Sequence, residues 1–479
     1  MFPLAFVGAF LVTELIEFWV PMAGLTRPMI ALGVVTLLIQ ATASRRVGRD
    51  RGAFIAAMIV MAAFDLKILG FLYAVALVLL LWTSLRSRRL SRLDWPRLTR
   101  TLNVIGVGSL ALALGQALVL AAGLPGHTLQ PSATDTAGST TAPDIYLILL
   151  DGYPRADTLR SAIDYDNSTF LNAMKDMGFD IAQNAHSNYN RTTLTVTSML
   201  NANSIDALLP NPPGGTLAQH RLFSSLINDA AAVDDARSYG YSFVNVPTQL
   251  SFLAANTADQ FLDSGELTQF EYFLDRNGGL SRILPDLQVG WFRAQHRDRV
   301  LSTFASLARL PAERAHQPRL VFAHVMAPHN PIVFRADGSM AAPPDCYWND
   351  CVLEDPLSVE IKQALAEQVE FTSRMVEQTA RGILQASEQP PVIVIFGDHG
   401  FRHWASDRPE AFQNLFLSYT PGQSGLFPDN ATPINIIPRL LNAYVDAGLP
   451  LASEESWVVG NSNGYFPLRP WDGVSGPTD

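Results

Sequence analysis

The feature that most constrains the fold is the clustering of long apolar runs at the start of the chain. The runs cover approximately 2–22, 28–43, 53–65, 68–85 and 103–123. Most of them approach the ~20 residues that a helix needs to cross a bilayer. They explain why the chain has a mean hydropathy of +0.13 and only 16% charged residues. We therefore predict a transmembrane domain of about five helices over residues 1–123.

Basic loops predict the orientation of these helices. Arginines cluster between the second and third runs (Arg45, Arg46, Arg49, Arg51) and between the fourth and fifth (Arg86, Arg88, Arg89, Arg92, Arg97, Arg100). The positive-inside rule places both loops in the cytoplasm. The third run is short and is followed by two charged residues, Asp65 and Lys67. It need not cross the membrane, so four spans are the alternative. Only a crossing third run puts both loops on one side, which favours five spans and a cytoplasmic N-terminus.

The charge balance changes sharply after the apolar runs. Residues 1–123 hold 12 Lys and Arg against 5 Asp and Glu, and the remainder holds 22 against 39. Such an acidic outer part lacks the basic surface that nucleic acid requires, so we predict no nucleic-acid partner. The chain has two cysteines, Cys346 and Cys351. In an extracytoplasmic domain they are expected to form a disulfide, with a free pair or a metal clip as the alternative.

The remaining sequence predicts a flexible linker and one α/β domain. Residues 124–143 are rich in Gly, Ser, Thr and Pro, which is typical of a linker. In the domain over 144–479, continuous apolar runs predict buried strands at 144–151, 242–246, 319–326, 391–396 and 414–419. Helical periodicity covers about 157–177, 359–387 and 432–447. This alternation predicts a mainly parallel sheet flanked by helices.

Aspartate and histidine side chains lie at or just after the ends of three of the predicted strands. Asp151 ends the first, His329 follows the strand at 319–326, and Asp398 and His399 end the strand at 391–396. In parallel sheets the chemistry lies at the carboxyl ends of the strands. Asp-Gly alone is an ordinary turn, but acids and imidazoles at several strand ends together indicate a site for a divalent cation.

A hydroxyl-rich segment offers a nucleophile for such a site. Residues 187–201, SNYNRTTLTVTSMLN, run from a polar loop into an apolar helix. Most of these hydroxyls are expected to cap the helix or fill small packing sites. A hydroxyl at a helix N-terminus beside a divalent cation has a lowered pKa and can attack phosphorus. Thr192 has this position and is our candidate.

Several motifs together resemble those of the alkaline phosphatase/sulfatase superfamily. They are LILLDGYPRADTL, DNSTFLNAM, GFDIAQNAHSNYNRTTLTVTSMLN, HVMAPHNPIVFRADG and VIVIFGDHG, and the resemblance covers about 143–445. The chain looks most like the membrane-anchored branch, which contains lipoteichoic acid synthases and lipid A phosphoethanolamine transferases. The resemblance implies an alkaline phosphatase-like fold and a sulfatase-like catalytic domain outside the membrane.

The resemblance also implies roles for individual residues. It assigns Asp151, Thr192, Asp398 and His399 to the metal, and Thr192 to the nucleophile, with Thr193 as the weaker match. The substrate contact is His329, with Arg191 and His403 as additional positive charges near a phosphoryl group. His186 and His324 are expected to be packed or hydrogen-bonded. The cofactor is a divalent ion, and Mn, Zn and Mg all remain open.

The implied activity is transfer of a phospholipid headgroup phosphoryl moiety, of phosphoethanolamine or phosphoglycerol type, to an envelope glycan or lipid. The enzyme would lie in the cell (inner) membrane as a multi-pass protein, with its catalytic domain in the periplasm. The formylglycine motif of genuine sulfatases, C/S-x-P-x-R, does not occur, so sulfate-ester hydrolysis by that route is not expected. A metal-dependent phosphodiesterase or phosphatase and a non-catalytic lipid-binding regulator are the alternatives.

Overall fold

A computed structural model describes most of the chain, in ten stretches. They are residues 1–18, 26–64, 94–122, 142–214, 216–265, 271, 285–341, 357–402, 408–459 and 464–471. The chain divides into two compact units: Met1–Leu129 with Leu267–Phe292, and Gln130–Glu266 with Arg293–Asp479. The predicted boundary of the catalytic domain at 144 stays a prediction.

The first unit is helical wherever its N-terminal part is described. Its helices are α1 (Phe2–Phe18), α2 (Thr26–Val47), α3 (Arg49–Phe64) and α4 (Trp95–Ala122). Within the described residues, α2 and the Trp95–Leu118 part of α4 are long and apolar enough to cross a membrane, and Phe2–Thr13 is a shorter apolar helix. The predicted run at 68–85 lies outside the described residues, and five spans therefore remain a prediction.

Three features lie at the same end of this helical unit. Gly48, with φ +89°, makes the tight turn between α2 and α3, in the left-handed conformation that glycine adopts readily. Just after this turn, the Arg51 guanidinium lies over the Trp95 ring, 5.4 Å from its centroid, at the start of α4. The Phe2 backbone N–H donates to Asn103 Oδ1 at 2.7 Å. The N-terminus, the basic turn and the start of α4 are therefore neighbours.

The second unit is built on a seven-stranded mixed sheet of order β2-β7-β6-β1-β5-β3-β4. The strands are β1 (Ile145–Leu150), β2 (Asp180–Ile181), β3 (Ser242–Val246), β4 (Gln260–Phe261), β5 (Arg319–Val325), β6 (Val392–Gly397) and β7 (Phe416–Tyr419). β4, β3, β5, β1 and β6 are parallel to one another, and β7 is antiparallel to β6. The prediction of a mainly parallel sheet is confirmed, including all five predicted strands.

Strand β1 lies at the centre of the sheet and is buried on both faces. Tyr146, Ile148 and Leu150 pack into one hydrophobic cluster. Ile145, Leu147 and Leu149 pack into another. Because successive side chains of a strand point to opposite faces, a continuous apolar run is what such a two-sided core requires.

Helices flank the sheet as predicted, with one difference. They are α5 (Ala156–Ile163), α6 (Ser168–Asp176), α7 (Thr192–Asn201), α8 (Ile205–Leu208), α9 (Thr216–Asn228), α10 (Ala231–Ser238), α11 (Pro285–Arg309), α12 (Val359–Ala386) and α13 (Ile436–Val445). The helical stretch predicted at about 157–177 is present as two helices, because Asp164, in the left-handed conformation at φ +57°, ends α5 before α6 begins. A small antiparallel hairpin, β8 (Trp457–Val459) and β9 (Leu468–Pro470), completes the unit.

Candidate metal centre and nucleophile helix

Backbone hydrogen bonds bring the ends of β1, β5 and β6 together. The Asp151 N–H donates to the Val325 carbonyl at 2.9 Å, and the His329 N–H donates to the Asp151 carbonyl at 3.0 Å. The Gly152 N–H donates to Asp398 Oδ1 at 2.9 Å. Hydrogen bonds within the protein thus hold the ends of these three neighbouring strands together.

Acidic and imidazole side chains converge at this junction. One ligand atom each from Asp151, His329 and His399 lies within 4.8 Å of the others. His399 Nε2 is 3.5 Å from Asp151 Oδ1 and 3.7 Å from Asp398 Oδ2. These three atoms are buried and make no hydrogen bond within the described part of the chain. Because buried polar atoms are rarely left without a partner, this donor set fits a divalent cation that accepts oxygen and imidazole ligands.

The ring orientation of both histidines suits metal binding. His399 Nδ1 lies 2.8 Å from the Gly400 carbonyl, and His329 Nδ1 lies 3.0 Å from the Asn330 carbonyl. An Nδ1–H donated to a carbonyl leaves Nε2 as an acceptor. The Nε2 lone pair of His399 is therefore available to a cation, whereas that of His329 faces Arg402 Nη2 at 3.2 Å. His324 Nε2 lies 2.9 Å from Asp151 Oδ2 and orients that carboxylate, as residues behind metal ligands commonly do. The hydrogen-bonded state expected for His324 is found.

The surroundings of Asp151 favour its ionised form. Burial alone would raise the pKa of its carboxyl, but the neighbouring imidazoles, first His329 and then His324 with its hydrogen bond, hold that pKa well below its usual range. Burial, together with the charges of Arg402 and His399, lowers the pKa of His329. An anionic carboxylate beside a neutral imidazole is the protonation state that a cation requires.

Two glycines allow the close approach of these strand tips. Gly152 has φ +65°, and a Cβ there would lie 3.1 Å from His399 Cε1. A Cβ at Gly397 would meet the Tyr153 carbonyl and lie 3.2 Å from Asn414 Cβ. The Asp-Gly turn after β1 and the Gly before Asp398 are therefore needed to assemble the site.

Helix α7 begins beside this group, with Thr192 as its first residue. The residue before it, Arg191, is extended and makes no side-chain cap. Thr195, one turn into the helix, donates from Oγ1 to the Asp398 carbonyl at 2.9 Å. This bond ties the helix that carries the predicted nucleophile to the strand end that carries the predicted ligands.

Arg402 is a residue of this site that the sequence analysis missed. Its Nη1 donates to the Asn190 carbonyl at 3.0 Å, and its Nη2 lies 3.2 Å from His329 Nε2. Burial and then the charge of Arg191 lower the pKa of Arg402. The available signal was an arginine two residues after Gly400, where the prediction selected its neighbour His403 instead.

The structure gathers most of the predicted site residues but does not describe all of them. Asp151, Asp398, His399 and His329 meet at the strand ends, and His329, predicted as a substrate contact, stands among the possible metal ligands. Arg191 and Thr192 lie at the start of α7. The remaining predicted positions lie outside the described residues: His403, Cys346 and Cys351.

Comparison with known proteins identifies relatives by structure alone. No protein-family model matches the chain, and no curated protein matches it. The C-terminal periplasmic domain of EptC from Escherichia coli, in complex with Zn, is 13% identical with a TM-score of 0.43, over 70% of this chain and 93% of that one. The corresponding domain of phosphoethanolamine transferase EptC from Campylobacter jejuni is 10% identical with a TM-score of 0.40, over 64% and 90%. A putative sulfatase from Bacteroides thetaiotaomicron is 13% identical with a TM-score of 0.43, over 65% and 72%.

These overlaps are partial and carry no argument about activity. The functional assignment depends instead on the strand-end chemistry described above. Solved structures that match this chain include sulfatases and periplasmic domains of phosphoethanolamine transferases.

Proposed function

We propose that this protein is a metal-dependent enzyme that transfers the headgroup phosphoryl moiety of a membrane phospholipid to an envelope glycan or lipid. The observation that carries the proposal is the convergence of Asp151, Asp398, His399 and His329 next to the first turn of α7. Unpartnered buried oxygen and nitrogen atoms at this point suit a cation, and a threonine hydroxyl stands at the adjoining helix start.

Asp151, Asp398 and His399 would hold the ion, with His329 as a further ligand. When bound, a divalent ion lowers the pKa of a neighbouring hydroxyl and offsets charge on phosphoryl oxygens. Zn, Mn and Mg all fit two carboxylates with one or two imidazoles, and the ligand set does not select among them.

Thr192 is the proposed nucleophile. The Thr192 hydroxyl loses its proton as Oγ1 forms a bond to phosphorus, while the bond from phosphorus to the diacylglycerol oxygen breaks. That oxygen takes up a proton, and diacylglycerol leaves. The acceptor hydroxyl then loses its proton and attacks the same phosphorus, which breaks the bond to Thr192 and restores the threonine. Transfer through a covalent intermediate replaces one difficult step by two easier ones.

Arg402 and Arg191 are suited to bind the phosphoryl oxygens. Arg402 is fixed by the Asn190 carbonyl directly before α7 and reaches His329. The guanidinium geometry matches two oxygens of a phosphate group, and a hydrogen bond between charged partners is about twice as strong as a neutral one. In this arrangement the arginines hold the phosphoryl group against Thr192.

A lipid donor agrees with the character of the helical unit. Large apolar side chains on α2 and α4 are exposed, including Leu38 at 63% and Val104 at 74%, as expected where helices face lipid. The N-terminus, the basic turn and the start of α4 are at one end of this unit. This supports the predicted orientation, in which that end is cytoplasmic and α4 leads the chain to the periplasmic side.

The test is to trap the covalent intermediate. The full chain in vesicles that contain a headgroup-labelled phospholipid should gain label on Thr192, which mass spectrometry of its peptides would detect, and the added mass would identify the group. Thr192→Ala should lose both label and transfer. Full activity in Thr192→Ala would refute the assignment.

The same assay separates the alternatives. Label that appears as free headgroup phosphate, with none on an acceptor, would indicate the phosphodiesterase or phosphatase activity. Elemental analysis that finds no divalent ion in the purified protein, together with absence of turnover, would favour the lipid-binding regulator.

A further inference from the structure

A hydrogen-bonded group lies on the side of α7 away from Asp398. Tyr465 Oη is 3.0 Å from Thr193 Oγ1 and 3.0 Å from His220 Nε2. Thr193 follows Thr192 directly in the chain, while Tyr465 and His220 lie 272 and 27 residues further on. This group of Thr193, Tyr465 and His220 thus joins three distant segments beside the proposed nucleophile.

Helix α9 holds the segment that carries Tyr465 at two points. The Tyr465 backbone N–H donates to Gln219 Oε1 at 3.3 Å, and its side-chain hydroxyl meets His220 on the next residue of the helix. The Tyr465 ring packs edge-on against Phe223, with centroids 5.0 Å apart. The position of the Tyr465 hydroxyl is therefore fixed by contacts to its backbone, ring and hydroxyl.

The second partner, His220, is also fixed in place. Its ring stacks on Phe252, with centroids 4.4 Å apart and planes inclined by 14°. Burial lowers its pKa, which favours the neutral imidazole. A neutral imidazole and a phenol form a hydrogen bond without a buried charge, which would be costly without a counter-charge.

The C-terminal segment is also bound to the loop that leads into α7. The Trp457 N–H donates to the Asn188 carbonyl at 2.8 Å, and Ser456 Oγ donates to the Ser187 carbonyl at 2.7 Å. A β-bridge joins Tyr189 to Trp457. The chain on both sides of the start of α7 is thus held by residues from the C-terminal segment.

The first turn of α7 depends on such side contacts because Arg191 does not cap it. A helix start is commonly fixed by a side-chain oxygen of the preceding residue, and Arg191 offers no acceptor and makes no cap bond. Two threonines provide the anchoring instead: Thr195 to the Asp398 carbonyl and Thr193 to Tyr465. Thr192 stands in the turn that these two bonds hold.

We propose that Tyr465, supported by His220, is a positioning residue that fixes the first turn of α7 through Thr193 and so sets the placement of Thr192 for attack. This inference rests on the proposed function. Reaction rates are sensitive to such placement, and a displacement of about 1 Å can cost ~100-fold in rate.

The test compares Tyr465→Phe with the matched variant Tyr444→Phe in the full chain. Tyr444 makes an equivalent hydroxyl bond, to the Pro421 carbonyl at 3.0 Å, on α13 and outside the group. With headgroup-labelled phospholipid in vesicles, Tyr465→Phe should lower kcat by about 10- to 100-fold with KM changed less than about 3-fold. Tyr444→Phe should match the wild type, and Tm should fall by only a few degrees in either variant.

A second measurement does not need turnover. Hydrogen–deuterium exchange of the peptide over 188–196 should become faster in Tyr465→Phe and remain unchanged in Tyr444→Phe. If the wild type transfers no phosphoryl group, the proposed function fails while this measurement still decides the positioning. Unchanged exchange in Tyr465→Phe, or a wild-type kcat, would overturn the inference.

Variants at Thr193 test the same hydrogen bond, between Thr193 and Tyr465, by changing its other partner. They decide whether this bond positions Thr192 if Tyr465→Phe does not fold. Thr193→Val removes the hydroxyl and should reproduce the loss of kcat and the faster exchange, whereas Thr193→Ser retains the hydroxyl and should restore both to within about 3-fold of the wild type. Equal kcat in the Val and Ser variants would refute the role of the bond. The double variant Thr193→Val/Tyr465→Phe should be no slower than Tyr465→Phe alone, because the bond between Thr193 and Tyr465 is already absent in that single variant.

Discussion

Replacing Asp398 by Asn should change the stability of the protein in opposite ways with and without metal. The Asp398 side chain is fully buried. Its Oδ1 accepts from the Gly152 N–H, a bond that the Oδ1 of Asn can keep. Its Oδ2 makes no hydrogen bond within the described residues and lies 3.7 Å from His399 Nε2. The substitution therefore removes a carboxylate oxygen that a bound cation would satisfy.

The magnitudes follow from the cost of an unpartnered buried group and from binding linkage. A buried acceptor without a partner costs about 1–3 kcal/mol, so Asp398→Asn in a chelator should be more stable than the wild type by up to that amount. Saturating the wild type with metal at about 100 times its Kd should add ~2.7 kcal/mol. If loss of the ligand weakens binding ~100-fold, the same metal concentration adds only about 0.4 kcal/mol to Asp398→Asn.

The assay is thermal unfolding of the catalytic unit in the full chain, in EDTA and across a Zn titration, followed by near-ultraviolet circular dichroism. Asp144→Asn is the contrasting variant, because Asp144 pairs with the buried Arg319, 2.9 Å from its Nε, away from the strand ends. It should lower Tm equally with and without metal. An equal metal-induced rise of Tm in the wild type and Asp398→Asn would refute the assignment of Asp398 as a ligand.

Three further substitutions test separate parts of the structure. Arg402→Ala should lower kcat/KM for the phospholipid about 10- to 100-fold, the worth of a charged hydrogen bond, while leaving Zn affinity by calorimetry within a few-fold; Arg160→Ala, an exposed ion-pair residue, is the control. His296 contacts Gln249 Oε1 at 2.8 Å, and burial with the charges of His329 and Arg299 lowers its pKa to about 3. Below about pH 6.5 the His296 imidazole binds a proton in the unfolded chain but not in the folded chain. This site should therefore reduce the free energy of unfolding as pH falls from about 6.5 towards 3, by up to ~1.4 kcal/mol per pH unit. Urea unfolding at several pH values should show that the free energy of unfolding depends less steeply on pH in His296→Gln. Gly397→Ala should lower stability by about 1–3 kcal/mol, because its Cβ would press on the Tyr153 carbonyl, whereas Gly382→Ala, in open space on α12, should be neutral or slightly stabilising; equal Tm values for these two variants would contradict the packing argument.

The fold of the second unit was predictable because its signals are local. β1, β5 and β6 are unbroken apolar runs, and burial on both faces of a central sheet requires that composition. The parallel direction then placed their carboxyl ends together, so Asp151, Asp398 and His399 could be grouped from sequence. The break between α5 and α6, over residues 164–167, was not predicted, although Asp164, Asp166 and Asn167 are of the residue types that favour turns.

Parts of the site that depend on side-chain orientation or on segments distant in the chain were not predicted from the sequence. His329 is predicted as a substrate contact, and its place among the possible ligands depends on the Nδ1 bond to the Asn330 carbonyl, which no sequence spacing encodes. Arg402 and His403 are adjacent basic residue types in the sequence, and spacing alone does not show that Arg402 contacts Asn190 and His329. Tyr465 contacts Thr193, which lies 272 residues earlier in the chain, and the hairpin near Tyr465 has no recognisable sequence motif.

The site is held in shape by bonds that do not use its ligand atoms, and this separation explains how it can await a cation. Asp151 and His329 are linked through their backbones, Asp398 through Gly152, and α7 through Thr195. The atoms left over, Asp151 Oδ1, Asp398 Oδ2 and His399 Nε2, are those without partners among the described residues. Because the scaffold is formed in advance, binding would cost little reorganisation. The free energy lost by leaving these atoms unpartnered would be recovered on ligation, so affinity for an ion and lower stability without one would have the same origin.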